Sequence, residues 1–200
     1  METDLEKLID TVSSRIVAAA GELTALDAAI GDGDHGSNMK RGLEAVLAQK
    51  PTLLALPLPE ALQEIGMTLV MKVGGASGPL YGTLLMTLGK ELPPQPTLGD
   101  LARAFAKAVD AVKLRGKAEV NNKTMLDVLA PVAAELACDT VSFRSVRKAA
   151  ADGAAATIPM RAIRGRASFL GERSIGHMDP GARSSQIMIE NIVNCMESGQ

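Results

Sequence analysis

Apolar residues recur at three- and four-residue intervals along most of the chain, which is the spacing of an amphipathic helix. In residues 3–23 the series starts at Leu5, Leu8 and Ile9 and continues to Leu23, so one face of a helix there is apolar. We find no convincing stretch in which apolar and polar residues alternate one by one, the pattern of a half-buried strand. A chain with this pattern builds its core by packing helix against helix, and the sequence therefore predicts an all-α fold.

Connectors rich in glycine and proline divide this pattern into eight predicted helices. They cover residues 3–23, 37–48, 62–69, 80–92, 101–116, 124 onward, 142–158 and 180 onward. Thr3 and Glu6 form a capping-box pattern at the first start, and Gly116 is predicted to follow the fifth helix in a left-handed conformation. Pro131 is expected to kink the sixth helix or to lie in its first turns. Short connectors make successive helices antiparallel, so residues 1–200 are predicted to form a single domain, an eight-helix antiparallel bundle or barrel.

The composition excludes several classes of function. The net charge is −2, the basic residues are spread along the chain, and aromatic residues make up only 2% of it. A nucleic-acid binder needs a basic surface and often aromatic stacking platforms, so we expect no nucleic-acid partner. The chain shows no signal-peptide pattern and no apolar run that could span a membrane. Cys138 and Cys195 are expected to be free and buried in a reducing compartment, which predicts a cytoplasmic protein.

The segment GDGDHG, residues 31–36, partly matches two phosphate-binding patterns and satisfies neither. Its glycines fit the G-x-G-x-x-G spacing, but the strand that a dinucleotide-binding fold requires before them is missing. Ser37 and Asn38 stand where a P-loop needs Lys and then Ser or Thr. An EF-hand also fails, because Leu43 occupies the position of its bidentate glutamate. The carboxylates of this loop therefore need another explanation.

Asp27, Asp32 and Asp34 place three carboxylates at the end of one predicted helix and the start of the next. One interpretation is a turn in which Asp32 and Asp34 only cap the following helix. A single residue satisfies that need, however, and three converging carboxylates repel one another unless cations lie between them. Mg²⁺ prefers carboxylate and phosphate oxygens. The favoured interpretation is therefore a site in which the three aspartates bind phosphate through metal.

Two further segments combine the residues that begin a helix with free backbone N–H groups, an arrangement that can bind an anion. In the first, Ser77 and Pro79 follow a pair of glycines, and in the second, Asp179 and Pro180 precede one. An ordinary helix start is the alternative for each segment taken alone.

The two histidines and one long irregular segment lie near these loops. His35 and His177 are the only histidines of the chain. His35 is predicted to contact a ligand, and neither histidine is predicted to carry a phosphoryl group. Residues 160–183 are rich in arginine and exceed the length of a normal connector, so we expect them to be functional.

Four ordered motifs, GDGDHGSNMKRG, GGASGPLYGT, RGKAEVNNKTMLD and GRASFLGERSIGHMDPGA, closely resemble the L-subunit family of bacterial dihydroxyacetone kinase. The resemblance runs across most of the chain and implies an eight-helix antiparallel barrel with a nucleotide, ADP or ATP, and two Mg²⁺ ions at one end. It implies that Asp27, Asp32 and Asp34 bind metal and act in catalysis together with Ser77. It implies nucleotide contacts at His35, Gly36, Ser37, Asn38, Ala76, Ser77, Gly116, Thr124, Met125, Arg166, Asp179, Pro180 and Gly181.

The same resemblance implies a phosphotransferase reaction. A phosphohistidine on a phosphotransferase-system protein, the M subunit, phosphorylates the bound ADP. The resulting ATP passes its γ-phosphoryl group to dihydroxyacetone on a separate K subunit, which gives dihydroxyacetone phosphate. The nucleotide then acts as a retained cofactor, and the L subunit is expected to be a monomer outside the complex. Ser77 and the helix start beside it would add hydrogen-bond donors to the developing charge.

Two alternatives stay open from the sequence. The first is the L subunit of an ATP-dependent kinase for dihydroxyacetone or a related short sugar, which exchanges ADP for ATP from solution. Many such kinases carry K and L domains in one chain, so an L domain standing alone is expected to favour the phosphotransferase type. The second is a non-catalytic nucleotide-binding or regulatory module, which the intact aspartate triad disfavours.

Overall fold

The computed structural model describes residues 5–198, and this part of the chain contains helices and no strands. Its ten α-helices and one 3-10 helix are α1 (Leu5–Ala18), α2 (Ala20–Ile30), α3 (His35–Ala48), α4 (Lys50–Leu54), α5 (Leu58–Lys72), α6 (Ser77–Glu91), α7 (Leu98–Gly116), α8 (Leu126–Leu136), α9 (Phe143–Ala156), the 3-10 helix (Arg166–Ser174) and α10 (Pro180–Glu197). The predicted all-α class is confirmed. Between residues 5 and 198, no helix combines the length and the apolar character that a membrane span needs.

Eight of these helices form a closed ring. In the order α1, α3, α5, α6, α7, α8, α9 and α10, each helix packs against the next, and α10 packs back against α1. The connectors reverse the chain direction between neighbours, so the ring is an antiparallel barrel, as the sequence predicts. The largest buried side chains that fill it include Ile16, Leu23, Met39, Val46, Leu53, Tyr81, Val112, Leu126, Val128 and Leu129.

The structure divides one predicted helix and adds two short ones. Ala19, with φ −84° and ψ 0°, interrupts the first predicted helix, so α1 and α2 follow each other as separate helices. The proline-rich connector after α3 contains α4, whose Pro51 lies in the first turn, where a missing N–H costs nothing. The 3-10 helix lies inside the segment that the sequence pattern leaves irregular. The predicted cap residue Thr3 lies outside the described residues.

The ends of α7 and α8 differ from the prediction. α7 begins with a capping box between Thr97 and Asp100. The prediction that Gly116 adopts the left-handed conformation is wrong, because Gly116 is the last helical residue and Lys117 adopts that conformation with φ 48°. α8 begins two residues after Thr124 and contains Pro131, and the kink expected at this proline stays a prediction.

Both cysteines are free, but their environments differ. Cys195 is buried in α10, whereas Cys138 is exposed. The prediction of a buried Cys138 is wrong because this residue follows the end of α8 and lies in the connector to α9.

The alternating direction of the helices decides where the loops meet. Every second connection of an antiparallel ring lies at the same end. The connections α2–α3, α5–α6, α7–α8 and α9–α10 therefore share one end of the barrel, and they contain all the segments singled out in the sequence. We call this end the loop end.

Candidate functional site: a carboxylate and amide cavity at the loop end

Several cavities at the loop end of the barrel share lining residues, and two of them extend from the aspartates to the α7–α8 connection. The first, which we call the main cavity, has a volume of about 170 Å³. The second, the side cavity, has a volume of about 400 Å³ and shares Ala76, Leu80, Thr124, Met125, Arg164 and Gly165 with the first. One continuous site therefore runs from the aspartate loop to the α7–α8 connection.

The three aspartates of the sequence motif converge in the main cavity. Asp27 is buried in the last turn of α2, Asp34 directly precedes α3, and Asp32 is exposed on the turn between them. Gly33 adopts a positive φ of 72°, a conformation that glycine reaches without strain and that folds the turn back on itself. As a result, one oxygen from each of the three carboxylates lies within 4.8 Å of the others.

The hydrogen bonds separate the role of Asp27 from the roles of the other two aspartates. One carboxylate oxygen of Asp27, Oδ2, accepts hydrogen bonds from the backbone N–H groups of Asp34, at 2.8 Å, and His35, at 3.0 Å. Asp34 holds the N-cap position of α3 but makes no side-chain capping bond. Helix capping therefore explains Asp27 and leaves the carboxylates of Asp32 and Asp34 without that explanation.

The charges of this cluster favour a cation. Three carboxylates at this separation repel one another, and the ammonium group of Lys123, which lines the same cavity, donates to backbone carbonyl groups instead. Arg166 forms an ion pair with Asp32, with 2.7 Å between the guanidinium nitrogen and the carboxylate oxygen. An all-carboxylate set suits a hard divalent ion such as Mg²⁺, which also keeps water ligands and accepts phosphate oxygens. The residues present thus fit the predicted metal.

The start of α6 faces the same cavity with backbone N–H groups. The N-cap residue Ala76 makes no side-chain capping bond to the first turn, and Pro79 lies in that turn. The N–H groups of Ser77 and Gly78 are therefore free of a side-chain cap, and the positive end of the helix dipole adds to them. This helix start can bind the oxygens of a phosphate group.

A buried chain of hydrogen bonds supports Ser77 from behind. His35 is buried, and its Nδ1 lies 3.0 Å from the Ser77 hydroxyl while its Nε2 lies 2.9 Å from the Ser184 hydroxyl. The Ser184 hydroxyl is in turn 2.7 Å from the hydroxyl of the buried Tyr81. Burial lowers the pKa of His35, against the nearby charges of Asp27 and Asp34. A neutral imidazole that uses both nitrogens in this way positions Ser77, and the predicted contact between His35 and a ligand stays a prediction.

Asp179 begins α10 at the wall of the main cavity. Its carboxylate accepts a hydrogen bond of 2.7 Å from the N–H of Ala182 and caps the helix, as the sequence predicts. The surrounding protein raises the pKa of Asp179 from 3.8 to about 7, mainly through burial of the charged form, and the charges of Asp127 and Asp27 raise it further. Its hydrogen bond from Ala182 and the charge of Lys123 act in the opposite direction.

Most residues predicted for the site line these cavities, and three do not. The main cavity is lined by Asp27, Asp32, Asp34, His35, Ala76, Ser77, Thr124, Met125, Arg166, Asp179, Pro180 and Gly181, and Gly116 lines the side cavity. Gly36, Ser37 and Asn38 line neither cavity.

The three residues outside the cavities support the site from α3. Gly36 packs against α2 so closely that a Cβ atom there would collide with the carbonyl oxygen of Ala20. The Ser37 hydroxyl donates to the carbonyl oxygen of Asp34 at 2.8 Å. The buried Asn38 accepts a hydrogen bond from Arg41 and packs against the glycines before α6. Their predicted nucleotide contacts remain predictions.

Sequence reasoning missed several residues of the site. Lys123 and Arg164 line the main cavity, and Tyr81 and Ser184 extend the hydrogen-bond chain from His35. Tyr81 lies within one of the four motifs and is the only tyrosine of the chain, which is the one signal that could have found it. The partners of Lys123 are too distant along the chain to leave a local pattern.

Comparison with known proteins identifies the class of protein that this barrel and site define. The profile of the DAK2 domain matches residues 29–194, so the chain belongs to the DAK2 domain family. It is 42% identical over 177 residues to the PEP-dependent dihydroxyacetone kinase, ADP-binding subunit DhaL, of Escherichia coli, with 84% of each chain covered. It is 39% identical to the PTS-dependent dihydroxyacetone kinase, ADP-binding subunit DhaL, of Lactococcus lactis, with 86% of this chain and 85% of the relative covered. The predicted resemblance to the L-subunit family is confirmed.

A solved structure shares the fold. The dihydroxyacetone kinase from C. freundii, solved in complex with AMP-PNP and Mg²⁺, matches 95% of this chain with a TM-score of 0.78. The sequence identity is 24%, and the match covers 33% of that longer chain. At this identity the likeness supports the barrel architecture.

The raised pKa of Asp179 predicts a difference in the pH dependence of stability between the wild type and Asp179→Asn. The native state binds the Asp179 proton more tightly than the unfolded chain, so this group stabilises the fold fully below pH 3.8 and loses its effect as the pH rises to about 7. Its contribution falls by at most about 1.4 kcal/mol per pH unit in that window. Asp179→Asn keeps a side-chain acceptor for the helix cap and removes the titration.

We expect urea unfolding at pH 5 and pH 8, in EDTA and without nucleotide, to show a larger loss of stability for the wild type than for Asp179→Asn. The difference between the two proteins cancels other titrating groups, among them His35, whose lowered pKa acts in the opposite sense. Asp139→Asn, an exposed aspartate in the α8–α9 connection, is the control. Parallel pH profiles for wild type and Asp179→Asn would contradict the assignment.

Proposed function

We propose that this chain is the ADP-binding subunit of a dihydroxyacetone kinase of the phosphotransferase type. Its bound ADP accepts a phosphoryl group from a phosphohistidine protein and passes it to dihydroxyacetone on a K subunit, which gives dihydroxyacetone phosphate. The names of the E. coli and L. lactis relatives, at 42% and 39% identity, support this class of enzyme. An ATP-dependent kinase, which exchanges its nucleotide with solution, is the alternative within the same family.

One observation of the structure carries the proposal: the carboxylate cluster and the uncapped start of α6 face each other across one cavity. The cluster can bind divalent metal ions, and the N–H groups of Ser77 and Gly78 can bind phosphate oxygens. Three carboxylates and an ADP together carry about six negative charges, and two Mg²⁺ ions offset four of them. Arg164 and Arg166, which line the same cavity, supply two more positive charges.

Each catalytic residue has a task that its position supports. Asp27, Asp32 and Asp34 would hold the metal, and Mg²⁺ bound there would supply charge neutralisation for phosphoryl transfer. Ser77, whose hydroxyl lies 3.0 Å from Nδ1 of His35, lines the main cavity at the uncapped start of α6, where its N–H and hydroxyl could bind phosphate oxygens. These donors are in place before the reaction and therefore need no reorganisation when charge develops.

The side cavity suits the nucleoside part of the ligand. Val112, Leu126 and Met125 give it apolar walls, and the hydroxyl of Thr124 is a polar group within reach. Gly116 lies in this wall, where a Cβ atom would already approach Leu80 to 3.3 Å. Adenine and ribose in the side cavity would leave the phosphates pointing to the aspartates.

The rim of the main cavity supports transient docking of partner proteins. Phe169 on the 3-10 helix is 89% exposed and Ile163 is 58% exposed. Ile163 directly precedes Arg164, and Phe169 lines a further cavity together with Arg166. Apolar side chains and positive charge therefore occur together at this rim. We further propose that the K and M subunits are the partners of this protein and that it is a monomer outside their complex. We also propose a location in the cytoplasm, which the two free cysteines support.

Asp34→Asn tests the metal role without removing a helix cap, because Asp34 makes no capping bond. In a reconstituted system with K and M subunits, we expect the substitution to lower the rate of phosphoryl transfer by about a hundredfold or more, because a metal ligand is lost. In EDTA, the variant should melt at a higher temperature than the wild type, since one repelling charge is gone. Saturating Mg²⁺ and ADP should reverse that order.

Asp139→Asn removes the same charge at the opposite end of the barrel and serves as the matched control. It should leave both the transfer rate and the response to Mg²⁺ unchanged. Full transfer activity of Asp34→Asn would exclude the proposed catalytic metal site.

Phe169→Ala tests the docking rim. We expect the apparent KM for each partner protein to rise by about tenfold, because exposed aromatic side chains often dominate transient interfaces. The affinity for ADP should not change, since Phe169 does not line the main cavity or the side cavity. Leu98→Ala, an exposed apolar residue at the far end of α7, is the control. Equal partner kinetics for Phe169→Ala and wild type would remove Phe169 from the docking surface.

A further inference from the structure

Lys123 is a buried lysine in the α7–α8 connection. It is 1% exposed and its backbone is left-handed, with φ 61°. Its ammonium group donates hydrogen bonds to the carbonyl oxygens of Thr157 at 2.7 Å, Met160 at 3.1 Å and His177 at 2.5 Å. The carbonyl oxygen of Ile158 lies further away, at 3.5 Å. An ammonium group has three hydrogens, so the three nearer carbonyl groups use its full donor capacity.

The three acceptors mark the two ends of one segment. Thr157 directly follows α9 and Met160 comes three residues later, while His177 lies just before α10. We call residues 160–178 between them the arginine segment. One ammonium group thus holds both ends of this segment. The other lysines of the chain have partly or fully exposed side chains.

Backbone hydrogen bonds extend the same connection. The N–H of Ile163 donates to the carbonyl oxygen of Asn122 at 3.2 Å, so the residue before Lys123 also binds the arginine segment. The N–H of Gly176 donates to the carbonyl oxygen of Ile158 at 2.8 Å and closes the segment at its base. The α7–α8 connection and the arginine segment therefore interlock around Lys123.

This arrangement is costly for folding alone. Burial lowers the pKa of Lys123, which reflects the penalty of removing an ammonium group from water. A left-handed backbone at a residue other than glycine adds strain. An apolar side chain would fill the same space without either cost, although it would leave carbonyl groups unpaired. Such costs commonly occur where a site needs a fixed geometry.

The arginine segment carries the groups that cover the main cavity. Arg164, Gly165 and Arg166 all line it, and Arg166 reaches Asp32. Lys123 itself lines the cavity from the inside, and its charge acts on Asp179. Lys123 thus connects the inner wall of the site with its arginine cover.

We propose that Lys123 is a positioning residue for the nucleotide site, which holds the arginine segment so that Arg164 and Arg166 lie over the bound phosphates. This role rests on the proposed function for the identity of the ligand. The anchoring of the segment does not, because it is a property of the protein without ligand.

Lys123→Met tests the anchor, and Lys117→Met is its matched control. Lys117 lies in the same connection, is also left-handed with φ 48°, and has an exposed side chain. We expect Lys123→Met to raise the hydrogen-exchange rates of the Ile163 and Gly176 amides by about tenfold or more, while the core amides of α3 and α6 keep their protection. Lys117→Met should behave as wild type.

The second readout is the dissociation constant for ADP in Mg²⁺, measured by calorimetry. We expect Lys123→Met to raise it by about tenfold, a loss typical of one displaced charge contact. Protection lost equally along the whole barrel would indicate a merely structural lysine and would overturn the proposal. Unchanged exchange in the arginine segment, or unchanged ADP affinity together with faster exchange, would also overturn it.

The two proposals fail in different ways. A wild type that binds no ADP would refute the proposed function and with it the ligand role of Lys123, while the exchange data would still decide the anchoring.

Should Lys123→Met not fold, lysine acetylation of the wild type replaces this variant as the test. The proposal then predicts that Lys123 is acetylated more slowly than Lys117. It also predicts that the fraction of the protein acetylated at Lys123 no longer binds ADP. ADP binding retained by that fraction would contradict the proposal.

Discussion

The closed ring of alternating helices is the constraint on which the site depends. In such a ring every second connection returns to one end, so four separate connections meet there. Closure of α10 on α1 completes the ring and places Asp179 at the same end as Asp27. The close approach of α3 to α2 at Gly36, where a Cβ atom would collide with the neighbouring helix, brings the aspartate loop into this end. The barrel thus assembles a site that no single segment contains.

The carboxylates at this end carry more negative charge than helix capping requires. Asp27 stabilises the start of α3 through one oxygen, and Asp32 and Asp34 add negative charge that helix capping does not require. Cationic groups around them, such as Arg166 and Lys123, come from other connections of the loop end. A divalent ion would offset the negative charge of the carboxylates, and a phosphate group bound to that ion would offset the positive charge of the arginines and of the helix start. Such a ligand would therefore also stabilise the fold at this end.

The sequence predicts the local features of this protein better than the distant ones. Helical periodicity and short connectors indicate the barrel, because each helix carries its own apolar face. The aspartate cluster is also predictable, since its members lie within eight positions of one another. The anchoring by Lys123 is not, because its acceptors lie 34 to 54 positions further along the chain and are backbone groups. The capping role of Asp27 likewise depends on the angle between two helices, which periodicity does not specify.

The central claim is that metal bound by three carboxylates holds an adenine nucleotide at the loop end. The most direct measurement is to purify the protein without added nucleotide, dialyse it in Mg²⁺ or in EDTA, denature it, and identify the released nucleotide by ion-exchange chromatography. The account predicts near-stoichiometric ADP or ATP after dialysis in Mg²⁺ and loss of that nucleotide in EDTA. An empty protein that binds ATP reversibly would indicate the ATP-dependent kinase. A protein that binds neither nucleotide in Mg²⁺ would contradict the account.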